Sequence, residues 1–134
     1  MHKPPLILIV DDETHIVHVL SVKLQSAGFN VISAMDGREG LRRAIDEVPD
    51  LVIADNAMPV ADGFEMCHGL LRISKTSHIP VIMLTGKSHR ISDHDAHISN
   101  IRAMVGKPFS PRDVLNKVYE LLDIHPDKEA AKAS

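Results

Sequence analysis

Apolar residues along this chain fall into two alternating textures. Leu6–Val10, Leu51–Ala54 and Val81–Leu84 are aliphatic without interruption. A strand with one wet face would alternate apolar and polar residues, so unbroken runs of four or five predict strands covered on both faces. Thr85-Gly86 closes the third run, and two weaker strands are predicted at Phe29–Ala34 and Ala103–Val105. Between the runs the apolar period changes to that of a helix. Within Glu13–Ala27, Ile16, Leu20 and Leu24 lie four apart with Val17 and Val19 beside them, and Gly28 stops the helix. A second helix after Asp36-Gly37 carries Leu41, Ala44, Ile45 and Val48 and ends at Pro49; a third, from about Phe64 to Ile73, carries Met66, Leu70 and Ile73. The last starts with Ser110 as N-cap and Pro111 at the first turn, and presents Val114, Leu115, Val118, Leu121 and Leu122. Lys87–Asn100 has the weakest pattern, Ile91 and Ile98 among His, Asp and Ser, and is expected to be a marginal, mobile helix.

Five alternations of strand and helix predict an α/β fold, a parallel sheet covered on both faces by right-handed crossovers. Ligands of such sheets bind beyond the carboxyl ends of the strands. The polar residues at those ends are Asp11 and Asp12 after the first strand, Asp55 after the third, Thr85 at the end of the fourth and Lys107 after the fifth. An Asp after a strand is by itself most often a turn residue or helix cap. The company of the others changes that reading.

Composition narrows the possibilities further. With 134 residues the chain fits one domain, here expected over residues 6–122, with a short extension at 1–5 and a flexible tail at 123–134. A net charge of −3 and 3% aromatic residues without Trp argue against nucleic-acid binding by bulk charge or base stacking. With a tail of about a dozen residues, no DNA-binding segment is expected after the last helix. One cysteine, Cys67, permits no internal disulfide, and the longest early apolar run, Leu6–Val10, is too short for a signal or membrane segment, so a cytoplasmic protein is expected. His15/His18 and His94/His97 lie one helical turn apart, but no carboxylate or Cys joins the first pair at a convincing spacing and such pairs arise by chance on soluble helices, so neither is expected to be a metal site.

Three carboxylates at one sheet edge repel one another and would be driven toward protonation without a cation between them. Mg²⁺ suits such a site, because it takes oxygen ligands and is commonly held by one or two carboxylates together with a phosphate oxygen. An ammonium at Lys107 and a hydroxyl at Thr85 suit phosphoryl oxygens, and an aspartate can act as nucleophile toward phosphorus.

The motifs V10-D11-D12-E13, D55-x-x-M-P-x-x-D-G63, Thr85-Gly86 and K107-P-F109 together resemble the receiver domain of two-component response regulators over about Leu6–Leu122. The resemblance implies a flavodoxin-like five-stranded parallel sheet of order 2-1-3-4-5. It makes Asp55 the phosphoacceptor and has Asp11 and Asp12 hold Mg²⁺, Asp12 being favoured as direct ligand, with Asp55 and the backbone carbonyl of Ala57 completing the protein's share. Thr85 and Lys107 would bind the phosphoryl oxygens, Lys107-Pro108 would be cis, and a histidine kinase or histidine phosphotransfer protein would be the donor. Output would pass to a downstream protein target through the helix after the fourth strand, the fifth strand and the last helix, with Thr85 and Met104 as switch residues.

The sequence departs from the family at three places. Met104 stands where the family usually carries Tyr or Phe, so no ring swings and no hydroxyl donates. Asn100 stands where a Gly often precedes the fifth strand and reads as neutral, while Gly86 replaces the usual Ala and should loosen its loop. Three alternatives remain beside a stand-alone switch. A Mg²⁺-dependent hydrolase with an aspartyl-phosphate intermediate would usually carry an acid/base carboxylate two residues after the nucleophile, where this chain has Ala57. The others are a receiver-like interaction module that is not phosphorylated, and a receiver excised from a longer kinase or regulator.

Overall fold

The computed structural model describes residues 3–86 and 98–126. Its elements run β1 (Leu6–Val10), α1 (Thr14–Ser26), β2 (Asn30–Ala34), α2 (Gly37–Glu47), β3 (Leu51–Asp55), α3 (Gly63–Leu71), β4 (Val81–Thr85), β5 (Ile101–Gly106) and α4 (Pro111–Leu122). All strand pairs are parallel and the order is β2-β1-β3-β4-β5. This is the doubly wound sheet that the alternating textures predict.

The unbroken aliphatic runs exist because the three central strands have no wet face. Leu8, Val10, Val52, Ala54, Val81 and Met83 point to one side, where they meet Ala44 of α2 and Phe64, Met66, Cys67 and Leu70 of α3. Ile7, Ile9, Leu51, Ile53, Ile82 and Leu84 point to the other, against Leu20 and Leu24 of α1 and Val114 and Val118 of α4. All the strand residues named here are fully buried. At about 1.5–3 kcal/mol per fully buried aliphatic side chain, these two layers supply the main driving force of the fold.

Several local expectations are corrected. β5 is longer than Ala103–Val105 because it is an edge strand whose half-buried residues alternate with exposed ones, so no aliphatic run marks it. A register shift at Val81/Ile82 lets Ile101 join one core and Ala103 and Val105 the other. Val48 is not on the core face of α2: it caps the helix in the left-handed region at φ 46° and is exposed. Ser110 precedes Pro111 in extended conformation, but its side chain makes no capping hydrogen bond. α3 ends at Leu71 rather than Ile73, and the Thr76 hydroxyl donates to the Leu70 carbonyl at 2.7 Å in the turn that follows. Gly28 does occupy the left-handed region, at φ 98°, just beyond α1.

Asn100 is not neutral. It is buried, its side-chain amide donates to the Cys67 carbonyl at 3.0 Å, and its own carbonyl accepts from Val81 at 2.8 Å, which ties α3 to the start of the β4–β5 pair. It is absent from the residues with positive φ, so left-handed tolerance is not what it supplies. Of the predicted helix at Lys87–Asn100, residues 87–97 lie outside the described residues, and Ile98 is buried against the α3 side of the sheet.

Candidate functional site

β1 and β3 are neighbours in register, with Val10 opposite Ala54, so the residues that follow them emerge side by side. Asp11 is fully buried and accepts from the Glu13 amide through Oδ1 at 2.9 Å, an Asx turn that leads into α1. Asp12 beside it is exposed. Asp55 closes β3 at 4% exposure. One carboxylate oxygen from each of Asp11, Asp12 and Asp55 lies within 4.8 Å of those of the other two.

The position of Asp55 depends on how the chain leaves β3. The Asn56 amide donates to the Leu84 carbonyl of β4 at 3.0 Å, and the Gly63 amide donates back to the Asn56 carbonyl at 3.2 Å. A Cβ at Gly63 would collide with the Asp55 carbonyl oxygen and would come within 2.8 Å of Met83 sulfur. The glycine of D62-G63 is therefore a close-approach requirement. Asp62 caps α3 through the Glu65 amide at 2.9 Å. The Ala57 amide reaches Asp55 Oδ1 at 3.5 Å, and its carbonyl belongs to the same loop.

β5 brings the cation. Gly106 pairs with Thr85, and the next residue, Lys107, donates its amide to the Thr85 carbonyl at 2.6 Å. The Lys107-Pro108 bond is cis. The Lys107 ammonium lies 3.3 Å from Asp55 Oδ2, 3.4 Å from Asp11 Oδ2 and 3.1 Å from Glu13 Oε1. Among the described residues, one ammonium thus serves three carboxylates.

Electrostatics follow from burial. Desolvation raises the Asp11 carboxyl above its ordinary range; the Glu13 amide opposes this, Asp55 reinforces it, and Lys107 opposes it. Desolvation likewise raises Asp55, with Lys107 pulling the other way. Burial alone would lower Lys107, but Glu13, Asp11 and Asp55 together hold its pKa above the usual lysine value. Two buried acids with raised pKa and an exposed third beside them form an all-oxygen donor set whose negative charge one ammonium only partly offsets. It fits a hard divalent cation. Cys67, by contrast, is fully buried and its thiol is pushed up to about 12, so it is a packing residue rather than a reactive one.

The structure therefore brings together Asp11, Asp12, Asp55 and Lys107, with the Thr85 backbone fixed to the lysine. Met104 lies further off on β5, opposite Met83 and 38% exposed, at a cleft of about 560 Å³ lined also by Val105, Asp113 and Asn116. Glu13 was legible only as part of an acidic motif. Its contact with Lys107 needed the fold.

A β2-β1-β3-β4-β5 sheet with an acidic cluster and a lysine at the carboxyl ends of its strands defines a class, the receiver fold. The sequence model of the response regulator receiver domain matches residues 7–119, and the chain belongs to that family. It is 38% identical over 116 residues to the alkaline phosphatase synthesis transcriptional regulatory protein PhoP of Bacillus subtilis, a match covering 87% of this chain and 48% of that protein. It is 36% identical over 118 residues to the DNA-binding dual master transcriptional regulator RpaA of Synechocystis, covering 88% and 49%. The chain spans about half the length of these curated relatives. Among solved structures, a putative response regulator from Chloroflexus aurantiacus superposes with a TM-score of 0.82 at 29% identity, covering 90% of this chain and 99% of that one. The chemotaxis protein CheY4 of Vibrio cholerae does so with a TM-score of 0.80 at 32% identity, covering 87% and 98%. No helix among the described residues is long and apolar enough to cross a membrane.

Proposed function

We propose that the chain is a phosphoacceptor switch of a two-component phosphorelay, with residues 6–122 as its receiver unit and Asp55 as the acceptor. The observation that carries this reading is the Lys107 ammonium 3.3 Å from Asp55 Oδ2, at the rim where three carboxylates converge. An Asp55 carboxylate oxygen attacks phosphorus of the donor, an oxygen–phosphorus bond forms, and the bond from phosphorus to the donor's leaving atom breaks. The donor is a histidine kinase, a histidine phosphotransfer protein or a small phosphodonor.

Asp12, Asp55 and the Ala57 carbonyl would hold Mg²⁺ directly, with Asp11 anchoring it from the buried side. When bound, the ion neutralises the carboxylates and the charge on the phosphoryl group. Lys107 supplies a fixed positive charge beside Asp55, and the Thr85 hydroxyl would donate to a phosphoryl oxygen. Burial of Asp55 keeps bulk water from competing for the same donors. No side chain at Ala57 can act as an acid or base on an external substrate, which weighs against the hydrolase. The added charge shifts a pre-existing conformational equilibrium, read by a protein target, with Thr85 and Met104 as the switch pair.

Whether the receiver acts alone or within a longer regulator is a separate question. The half-length match to transcriptional regulators favours the second arrangement.

The test is incubation with Mg²⁺ and acetyl phosphate, followed by intact mass. A single phosphoryl adduct that is lost in Asp55→Asn supports the switch. No adduct in the parent chain supports the unphosphorylated module, and steady release of phosphate from varied esters supports the hydrolase.

A further inference from the structure

Glu13 occupies the N-cap position of α1 but makes no side-chain capping bond, so its carboxylate is not engaged by the first amides of the helix. It follows β1, which β3 and β4 separate from β5, and its Oε1 lies 3.1 Å from Lys107 Nζ, the shortest of the three contacts that ammonium makes with carboxylates among the described residues. Its second oxygen faces the exposed His15 ring at 3.7 Å. Glu13 is also half-exposed, whereas Asp11 and Asp55 are buried. Of the three partners it is the one that can swing away without stranding a charge in the interior.

On the reading of Asp55 as phosphoacceptor, we propose that Glu13 is a positioning residue that holds Lys107 in its unphosphorylated place and competes with the incoming phosphoryl group for that ammonium. Lys107 has three N–H donors and three carboxylates to satisfy. A phosphoryl oxygen on Asp55 must displace one of them, and the solvent-facing Glu13 is the least costly to release. The same carboxylate adds negative potential beside Asp11 and Asp12. Its charge therefore favours a cation at the rim and disfavours a phosphoryl-like anion, and removing it moves the two affinities in opposite directions. A residue that only shaped the start of α1 would move both the same way.

The experiment compares the parent chain, Glu13→Gln and Glu13→Ala by calorimetric titration with Mg²⁺ alone and with beryllofluoride in saturating Mg²⁺. His15→Gln is the neighbouring control, and thermal melts confirm that each variant is folded. Both Glu13 variants are expected to bind Mg²⁺ about two- to fivefold more weakly and beryllofluoride about two- to fivefold more tightly, the size of a partly exposed ion pair. His15→Gln is expected to change neither. Affinities that move together, or stay unchanged in both Glu13 variants, or shift equally in His15→Gln, overturn the proposal. Failure of the parent chain to bind beryllofluoride, with Asp55→Asn indistinguishable from it, overturns the phosphoacceptor reading itself.

Discussion

The Lys107 ammonium and Asp55 Oδ2 stand 3.3 Å apart at the ends of strands that are not neighbours, β3 and β5, with β4 between them. The lysine therefore crosses the strand end of Thr85 to reach the acid, and the hydrogen bond its backbone N–H donates to the Thr85 carbonyl sets where that crossing starts. An ammonium and a divalent ion neutralise the same carboxylates, so they compete. Lys107→Met is expected to tighten Mg²⁺ binding by about tenfold, or about 1.4 kcal/mol, while slowing phosphoryl uptake from acetyl phosphate by about a hundredfold through loss of a fixed donor. Mg²⁺ titration and a time course of intact mass measure the two effects. Weaker Mg²⁺ binding in the variant contradicts competition.

The raised carboxyls give the metal-free protein a definite pH dependence. A group whose folded pKa exceeds its unfolded value binds more protons when folded, so its favourable contribution is present at low pH and is lost as pH rises through the folded pKa. For Asp11 and Asp55 that window opens near the ordinary aspartate value of about 3.9 and extends upward. Lys107, also raised, stays protonated throughout and loses its contribution only in strong base. Thermal melts of the metal-free chain are thus expected to show Asp55→Asn gaining on the parent as pH rises from about 4 to 7. Saturating Mg²⁺ should shrink that gap, because it stabilises only the parent's charged site. A gap that does not change with pH would show that the burial of Asp55 costs nothing.

Val60, in the loop after β3, has φ 71° and is 72% exposed. A β-branched residue in the left-handed region costs about 1–2 kcal/mol, and no burial offsets it here. Val60→Gly relieves that strain but adds about 0.5–1 kcal/mol of unfolded-state freedom. The net expectation is a stabilisation of about 0.5–1 kcal/mol, read from urea unfolding. A loss of stability would mean that Val60 makes a contact worth more than its strain.

Gly63→Ala should act in the opposite direction. The new methyl meets Met83 sulfur, which a flexible side chain can move, and the Asp55 carbonyl, a backbone atom fixed in β3 that cannot yield easily. A destabilisation of about 1–3 kcal/mol is expected, with phosphoryl uptake reduced because Asp55 itself is pushed. At Gly86, where an added Cβ meets nothing, the same change should be neutral or mildly stabilising. Equal effects at both glycines would remove close approach as the explanation.

The strand–helix alternation, both core layers and the membership of Asp11, Asp12, Asp55, Thr85 and Lys107 in one rim could be read from the chain, because period and run length report burial directly and a parallel sheet sends every strand's carboxyl end to the same side. What failed lay where local pattern and burial part company. β5 alternates half-buried with exposed residues, Val48 turns left-handed off its helix, and Asn100 earns its place through a carbonyl 33 residues away. Only the folded chain decided that Lys107 is shared among Asp55, Asp11 and Glu13. Sequence spacing fixes which strand end a residue occupies, but distances of 3.1–3.4 Å between side chains depend on register, on twist and on how two cores pack against one sheet.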